Sequence, residues 1–292
     1  MTDPSEKTFI VTGANTGVGL ETARGLAAAG ASVVMTARDR AKGDAALADV
    51  RASTGNGKVS LYLLDLASLD DIDRFAEEVL ADIPRLDGLI NNAGLGTTAK
   101  GKTKDDFELV VGTNYVGPFH LTERLLPRLL DTAERHGEAR VVNVSSLAHA
   151  FARRFDPDDL FPSPRPRSRD AYAESKLANL LHARELARRY GAKGLRAHAV
   201  HPGFVASSFG RKEHFPGPWQ LVFGLTKPLQ IPPEKGAQPS LHAALSDEAG
   251  RLNGTYFVKS KPKQPHLPTD PDAVQTRLWN NTEGLIERSR QA

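Results

Sequence analysis

Short apolar runs alternate along the chain with longer stretches in which apolar residues recur every three to four positions. The short runs predict β-strands and the longer stretches predict amphipathic helices. The predicted strands are Lys7–Thr12, Ser32–Ala37, Lys58–Asp65, Gly88–Asn91, Arg140–Ser145, Arg196–His201 and Thr255–Val258. The predicted helices are Val18–Ala29, Arg40–Ala52, Leu69–Ile83, Thr103–Leu130, Ala171–Tyr190, Glu234–Leu245 and Ala273–Glu287. Because parallel strands need crossover connections, this alternation predicts an α/β fold with a seven-stranded, mainly parallel sheet and helices on both faces.

Two irregular segments interrupt the alternation within what we predict to be a single doubly wound domain over residues 1–292. Phe151–Arg169 contains four prolines, which exclude a central strand or a helix interior, so residues 151–169 are predicted to form an exposed inserted loop. Residues 204–233 (Phe204–Pro233) mix aromatic, aliphatic, Gly and Pro residues without a regular period. Such a long loop favours a mobile substrate lid, and the alternative is a fixed excursion whose aromatic residues pack on the core.

The composition is that of an ordinary globular protein. Hydrophobic residues make up 40% and charged residues 25% of the chain, which excludes global disorder. The 38 basic and 35 acidic residues are interspersed, which argues against a nucleic-acid partner. The absence of cysteine excludes disulfides and thiolate chemistry. With no signal peptide and no apolar run near the roughly 20 residues of a membrane span, we expect a soluble, cytoplasmic protein.

A glycine-rich turn joins the first predicted strand to the first predicted helix. It reads Thr-Gly-Ala-Asn-Thr-Gly-Val-Gly from Thr12 to Gly19. Glycines allow a tight turn and a close backbone approach to a pyrophosphate, and the helix N-terminus stabilises the anion. The spacing differs from Gly-x-Gly-x-x-Gly, and taken alone the motif is also compatible with a turn that binds no ligand.

Tyr172 and Lys176 form the candidate catalytic pair. Residues four apart on a helix lie on one face, so the ammonium is expected near the phenol and should lower its pKa from about 10, as a general acid/base requires. Further polar residues follow predicted strands or lie in a helix beside them, at the edge where open α/β sheets bind ligands. They are Asn91–Gly94, Asn114, Ser145, Ser146 and His201–Gly203.

In order along the chain, Thr-Gly-x-x-x-Gly-x-Gly, Asn-Asn-Ala-Gly, Asn, Ser, Tyr-x-x-x-Lys and Pro-Gly resemble the short-chain dehydrogenase/reductase family, over about Thr8 to Val258. The resemblance implies a Rossmann-like fold in which Tyr172 is the acid/base at the substrate oxygen and Ser146 hydrogen-bonds the same oxygen. Lys176 then tunes Tyr172 and holds the nicotinamide ribose, and Asn114 supports a water linked to Lys176. Ser145 is the competing choice for the serine.

The resemblance also implies a nicotinamide dinucleotide site at the glycine turn and the neighbouring strand ends. Its residues are Gly13, Asn15, Thr16, Gly17, Val18, Gly19, Arg38, Asp65, Leu66, Asn92, Ala93, Gly94, Tyr172, Lys176, Pro202, Gly203 and Val205. We expect NADP(H), because Ala37 stands where the family's NAD users carry a carboxylate and Arg38 can bind the 2′-phosphate. Asp39 is the alternative ribose partner by its spacing from Gly19, although we interpret it as a helix cap.

Within the family, three motifs of this chain are similar to those of the retinol dehydrogenases, and also to those of protochlorophyllide reductases and WW-domain oxidoreductases. They are Asn-Val-Ser-Ser-Leu-Ala-His, Tyr-x-x-Ser-Lys-Leu-Ala-Asn and His-Pro-Gly. We expect hydride transfer between NADP(H) and a ketone, aldehyde or secondary alcohol. The aromatic and aliphatic residues of the predicted lid indicate a lipophilic small molecule as substrate. The alternatives are a catalytically idle NADP(H)-binding regulatory protein and a reductase of an activated carbon–carbon double bond.

The remaining expectations concern metals and assembly. The histidines His149, His182, His198 and His201 are scattered and show no metal-binding spacing, so no metal is expected. The predicted catalytic helix carries Leu177, Leu180 and Leu181, which could pack against a second copy in a homodimer or against the sheet of their own chain.

Overall fold

The computed structural model of the chain describes residues 3–96, 99–152, 155–159, 170–205 and 230–291. Its sheet has eight strands in the order β3-β2-β1-β4-β5-β6-β7-β8, and all neighbours run parallel except β7 and β8. The strands are β1 Thr8–Val11, β2 Ser32–Ala37, β3 Val59–Leu63, β4 Gly88–Asn91, β5 Ala139–Val144, β6 Leu195–His201, β7 Tyr256–Val258 and β8 Lys261–Pro262. The predicted Rossmann-like α/β fold is confirmed, with one strand more than expected.

Helices cover both faces of this sheet. Within the described residues they are α1 Gly17–Ala28, α2 Arg40–Thr54, α3 Leu69–Asp82, α4 Leu109–Val111, α5 Gly117–His136, α6 Ala171–Tyr190, α7 Pro233–Leu245, α8 Asp247–Arg251 and α9 Pro271–Gln291. Alternate residues of a strand point to opposite faces of the sheet. Ile10 packs in one core with α3, α5, α6 and α9, whereas Phe9 packs in a second core with α1, α2, α7 and α8. The sheet is therefore buried on both sides, as a parallel sheet requires.

The strand order reverses between β1 and β4. β1 pairs with β2 on one side and with β4 on the other, so the connections after these two strands leave toward opposite faces. In open α/β sheets the crevice at such a switch point is the usual ligand site. The glycine-rich turn follows β1, and Asn92 and Ala93 follow β4.

The helix predicted over Thr103–Leu130 is wrong at both ends. Thr103 and Phe107 bond one another in a turn, with Asp106 at a φ of 69°, and the helix starts only at Leu109. It then continues to His136, past Pro127, which the helix accommodates on its exposed side. The spacing of apolar residues, which was used to predict this helix, indicates neither the turn contacts before Leu109 nor the exposed position of Pro127.

The eighth strand and the short α8 were not predicted. β8 returns antiparallel to β7 through a two-residue turn in which Lys259 and Ser260 have φ angles of 51° and 59°. Two positive φ angles are typical of a type I′ hairpin, which usually carries Asn or Gly. Because neither residue is of that kind, the sequence held no turn signal.

The predicted inserted loop and lid fall mostly outside the described residues. Phe151 ends a 3₁₀ turn, Leu147–Phe151, and residues 160–169 are not described. Of the lid predicted over residues 204–233, residues 206–229 also lie outside the described part of the chain. At the ends of this segment, Ile231 N donates to Phe204 O at 2.9 Å and Val205 pairs with Ile231 in a parallel bridge. The assignment of the whole chain to one domain stays a prediction.

The leucines of α6 pack within their own chain. Leu177 and Leu181 are buried in the same core cluster as Leu278 and Trp279 of α9. Arg189 of α6 lies over the Trp279 ring, 4.4 Å from its centre. These contacts favour the second of the two sequence-based alternatives for the leucines, and a homodimer stays a prediction. None of the helices in the described ranges is both long and apolar enough to cross a membrane.

Candidate active site

The glycine-rich turn is packed too closely for larger residues. Gly13 has a φ of 63°, and a Cβ there would lie 2.9 Å from the Ala93 Cβ. A Cβ on Gly19 would overlap the main-chain oxygen of Gly13 and the side-chain amide of Asn92. The glycines thus bring the turn after β1 directly against the segment after β4.

Thr12 and Asn92 fasten these two segments together. The Thr12 Oγ1 accepts hydrogen bonds from Asn92 N at 2.9 Å and Ala93 N at 3.0 Å. The Asn92 Nδ2 returns a bond to Thr12 O at 2.9 Å. Thr36 at the end of β2 completes the support, because its carbonyl accepts from Ala14 N at 2.9 Å. Sequence reasoning gave Thr12 and Thr36 no role, since each acts through a partner distant in sequence.

The N-terminus of α1 is open to a ligand. In this described segment the capping residue Thr16 makes no side-chain capping bond, and the first turn carries no acidic residue. Main-chain N–H groups at a helix start have no partners in the helix and carry partial positive charge. Gly17, with a φ of 58°, starts the helix and Val18 is half-buried, so the arrangement can hold an anion.

At the end of β2, Arg38 and Asp39 are both exposed. The Asp39 Oδ1 accepts from Lys42 N at 3.0 Å and caps α2, as interpreted from the sequence. Asp65 is engaged in the next loop, where its Oδ1 accepts from Ala67 N at 3.0 Å. Leu66 is buried against the backbone at Gly117. The carboxylate of Asp39 is thus committed to the helix, while the Arg38 guanidinium faces solvent.

Ser146, Tyr172 and Lys176 come together at the end of β5. The Ser146 side chain lies close enough to the Tyr172 phenol to lower the pKa of that phenol. Lys176 is 4% exposed, its Nζ lies 5.5 Å from the centre of the Tyr172 ring, and it donates to Val144 O at 2.9 Å. The predicted pair therefore does share one face of α6, directly beside the strand end that carries the serine.

The pKa of Tyr172 departs from the sequence-based expectation. Burial raises this pKa, the nearby Ser146 hydroxyl opposes the increase, and the Asp170 carboxylate adds to it. Burial also lowers the pKa of Lys176 to about 8. The expected lowering by lysine was wrong for the chain alone, because desolvation of the phenol dominates and Nζ bonds the Val144 carbonyl. At neutral pH the phenol therefore keeps its proton.

The geometry separates the two candidate serines. The Ser145 Oγ donates to Lys176 O at 2.6 Å and is buried, so this hydroxyl ties β5 to α6. The Ser146 Oγ, which is only partly buried, accepts from Ala148 N at 3.2 Å and reaches Tyr172. His149 steadies this turn through a 2.6 Å contact between its Nδ1 and Ser146 O. Its Nε2 accepts from His266 N at 3.3 Å, so the proton belongs on Nδ1.

Asn114 lies in a π-helical turn, Gly112–Val116, between α4 and α5 and is fully buried. Its Oδ1 accepts from Leu95 N at 2.6 Å, and its Nδ2 donates to Leu95 O at 3.0 Å and to Ser175 Oγ at 3.2 Å. A Cβ on Gly94 would lie 3.1 Å from the Asn114 Oδ1 and 3.6 Å from the Lys176 Nζ. The Gly94 backbone therefore lies next to both predicted catalytic side chains.

The segment after β6 closes the far side of the site. Gly203 has a φ of 94°, and a Cβ there would lie 2.7 Å from the Ile231 Cδ1. Pro202 and Val205 are half-buried beside it. The structure thus brings the predicted residues to one edge of the sheet, and their individual roles stay predictions. Within the described ranges no three His, Asp or Glu side chains are arranged to hold a metal ion, and the absence of a metal also stays a prediction.

The chain is similar to known proteins over most of its length. A family model described as short chain dehydrogenase matches residues 7–157. Retinol dehydrogenase 12 of Mus musculus is 43% identical over 275 residues, which cover 94% of this chain and 84% of that protein. A solved structure of an uncharacterised protein from Mycobacterium Paratuberculosis has a TM-score of 0.72 and 35% identity, over 97% of this chain and 94% of the other.

A further solved structure is named as an active-site complex with NADP. It is the Pseudomonas aeruginosa RhlG/NADP complex, with a TM-score of 0.70 and 26% identity over 88% of this chain and 97% of the other. Fold, site and relatives together define a hydride-transferring oxidoreductase, and the chain belongs to the short-chain dehydrogenase/reductase family. Its relatives place it in the retinol dehydrogenase branch.

The close packing at Gly19 predicts a cost for adding a single methyl group. Gly19→Ala is expected to lower the free energy of unfolding by about 1–3 kcal/mol, because the new Cβ displaces the Gly13 carbonyl and the Asn92 amide. Urea denaturation measures this difference. Gly57→Ala is the matched control, since a Cβ there has open space around it. Equal stabilities for Gly19→Ala and Gly57→Ala would contradict the packing argument.

Proposed function

We propose that the protein is an NADP(H)-dependent oxidoreductase that interconverts a carbonyl and an alcohol on a lipophilic small molecule. The observation that carries the proposal is the placement of Ser146 beside Tyr172, next to the buried Lys176 and at the sheet edge that holds the glycine turn. A hydroxyl pair beside an anion-binding turn fits a reaction in which a proton and a hydride reach one carbon–oxygen bond.

The residues present fit a dinucleotide. Gly13 and Gly19 have no side chain, so their backbone packs closely against the neighbouring residues. Thr16 makes no side-chain capping bond at the N-terminus of α1, and Arg38 is exposed at the end of β2. Gly13–Gly19 would hold the pyrophosphate, Arg38 the 2′-phosphate, and Lys176 the nicotinamide ribose. When bound, the nicotinamide supplies or accepts the hydride.

The side chains then divide the remaining chemistry. Tyr172 donates its proton to the oxygen of a carbonyl substrate and takes it back in the reverse direction, and burial of the phenol keeps this proton in place at neutral pH. Ser146 hydrogen-bonds the same oxygen. Asn114 fixes Leu95 and, through Ser175, the first turn of α6, so the acid is held in position.

Exposed apolar side chains near the site support a lipophilic substrate. Leu147 and Phe151 follow Ser146 in the same 3₁₀ turn and are 49% and 69% exposed, and Phe204 beyond β6 is 43% exposed. Covering large apolar side chains with a ligand removes them from water and lowers the free energy. The curated relatives named retinol dehydrogenases carry a lipophilic alcohol in their name. The cytoplasmic location expected from the sequence stays a prediction.

Turnover of purified protein with NADPH and a panel of aliphatic aldehydes, ketones and enones tests the proposal. Ser146→Ala is expected to lower kcat roughly tenfold, because losing one hydrogen bond of about 1.4 kcal/mol in the transition state slows the reaction by that factor. Ser145→Ala is the matched control and should lose less, because its hydroxyl bonds only the Lys176 carbonyl. NADPH binding without turnover across the panel would favour the idle regulatory protein. Saturated products from the enones would favour the double-bond reductase.

A further inference from the structure

Buried amide side chains form a chain of hydrogen bonds from the central sheet to the active site. The Asn91 Nδ2 donates to the Asn143 Oδ1 at 2.9 Å, and the Asn143 Nδ2 donates to Asn179 O at 3.1 Å. The Asn179 Nδ2 then donates to Asn114 O at 3.0 Å. All four asparagines are at most 3% exposed. Neither Asn143 nor Asn179 has a role in the function proposed above.

The last bond reaches a point in the backbone that needs an outside donor. In the π-helical turn, Gly117 N bonds Gly112 O, five residues back, instead of the carbonyl four back. Pro118 stands four residues after Asn114 and has no N–H, so the Asn114 carbonyl lacks the donor that a regular helix would supply. The carbonyl of Asn114 lies in this turn and accepts its bond from α6.

The donor is on the catalytic helix itself. Asn179 follows Lys176 by three residues and Tyr172 by seven, so the three side chains lie on one face of α6. Asn114 is thereby tied to α6 twice, by its carbonyl to Asn179 and by its side chain to Ser175. The two bonds fix both the backbone and the side chain of Asn114 relative to the helix.

We propose that Asn179 is a positioning residue of the active site, which holds the Asn114 carbonyl and so sets Asn114 against Lys176 and Tyr172. The proposal rests on the proposed function. The Asn179 Oδ1 finds no partner within the described ranges, and a buried acceptor without a partner lowers stability. A leucine has the same branched outline, with methyl groups in place of the amide oxygen and nitrogen, and would avoid that cost. What the amide supplies, and leucine lacks, is the donor to Asn114.

Asn179→Leu tests this with two independent measurements. We expect kcat to fall roughly tenfold with little change in KM, because the reacting groups are misplaced while the binding surface remains. We also expect faster hydrogen exchange at the Leu95 amide, which bonds the Asn114 side chain at 2.6 Å. The unfolding midpoint should stay near that of the wild type, since removing the unmet Oδ1 offsets the unpaired Asn114 carbonyl.

Two further variants separate positioning from general loss of structure. Asn179→Asp offers a donor only when its carboxyl is protonated, so its turnover relative to Asn179→Leu should rise as the pH falls. Asn253→Leu is the matched control, because Asn253 also donates to a backbone carbonyl, Leu195 O at 2.9 Å, at the opposite end of β6. It should lose stability and keep the kcat of its folded fraction.

The outcomes separate this proposal from the proposed function. If Asn179→Leu kept its kcat within about twofold and the Leu95 exchange rate were unchanged, the positioning role would be overturned. Turnover that survives in Tyr172→Phe, measured in the same assay, would instead overturn the proposed function, and Leu95 exchange would still decide whether Asn179 holds Asn114. If Asn179→Leu does not fold, Asn179→Asp provides the test of the positioning role. Turnover and Leu95 exchange rates equal to those of the wild type at every pH would overturn that role.

Discussion

Tyr172→Phe is expected to reduce turnover by at least about 10²-fold and to leave NADPH affinity nearly unchanged, because only the proton donor is removed. The substitution deletes the phenol oxygen that lies beside Ser146 and adds no volume. The glycine turn and Arg38 keep their positions. Steady-state turnover and a fluorescence titration with NADPH measure the two quantities separately.

Tyr190→Phe at the other end of α6 is the matched control and should keep wild-type turnover, because its ring lies beside Trp279, away from Ser146. Lys176→Ala should damage both turnover and cofactor binding. If Tyr172→Phe retained more than about a tenth of the wild-type rate, another residue would have to supply the proton.

The lysine gives the rate a pH dependence. Burial lowers the Lys176 pKa to about 8, so the ammonium is present below pH 8 and is lost above it. Burial raises the pKa of Tyr172, so the phenol stays protonated over the same range. The rate of carbonyl reduction by the wild type should therefore be constant below pH 8 and fall above it, as Lys176 loses its charge.

The alternation of strands and helices was enough to predict the fold because each strand is buried on both faces. Phe9 and Ile10 are neighbours in β1 and pack in different cores, so both must be apolar, and a short continuous apolar run results. The features that were missed break a local rule. Lys259 and Ser260 take positive φ angles without being Gly or Asn, and Pro127 lies inside α5.

The order of motifs was enough to predict which residues meet at the sheet edge, because the carboxyl ends of parallel strands share that edge. It was not enough to predict the electrostatics. The spacing of Tyr172 and Lys176 indicates only their proximity, whereas burial, which determines both pKa values, depends on the surrounding elements. Asn179 was missed for a similar reason, since its partner is a backbone carbonyl in a π-helical turn.

Arg38→Ala is expected to weaken NADPH binding by roughly 10–100-fold and to leave NADH binding unchanged. Hydrogen bonds to charged groups contribute about 1.5–3 kcal/mol, and 1.4 kcal/mol is a factor of ten in affinity. Arg38 is exposed at the end of β2, so the substitution leaves the core intact. Titration of each variant with both reduced cofactors measures the preference.

Two neighbours of Arg38 serve as controls for this preference. Arg40→Ala removes the same charge at the first residue of α2, where Arg40 lies 3.9 Å from Asp44, and should change neither affinity by more than a small factor. Asp39→Asn keeps the cap on Lys42 N, since asparagine caps helices as well as aspartate does. If Asp39 were the ribose partner, this variant would weaken NADH binding while Arg38→Ala left NADPH binding intact. Tighter wild-type binding of NADH than of NADPH would overturn the assignment of NADP(H), because Arg38 would then have no phosphate to bind.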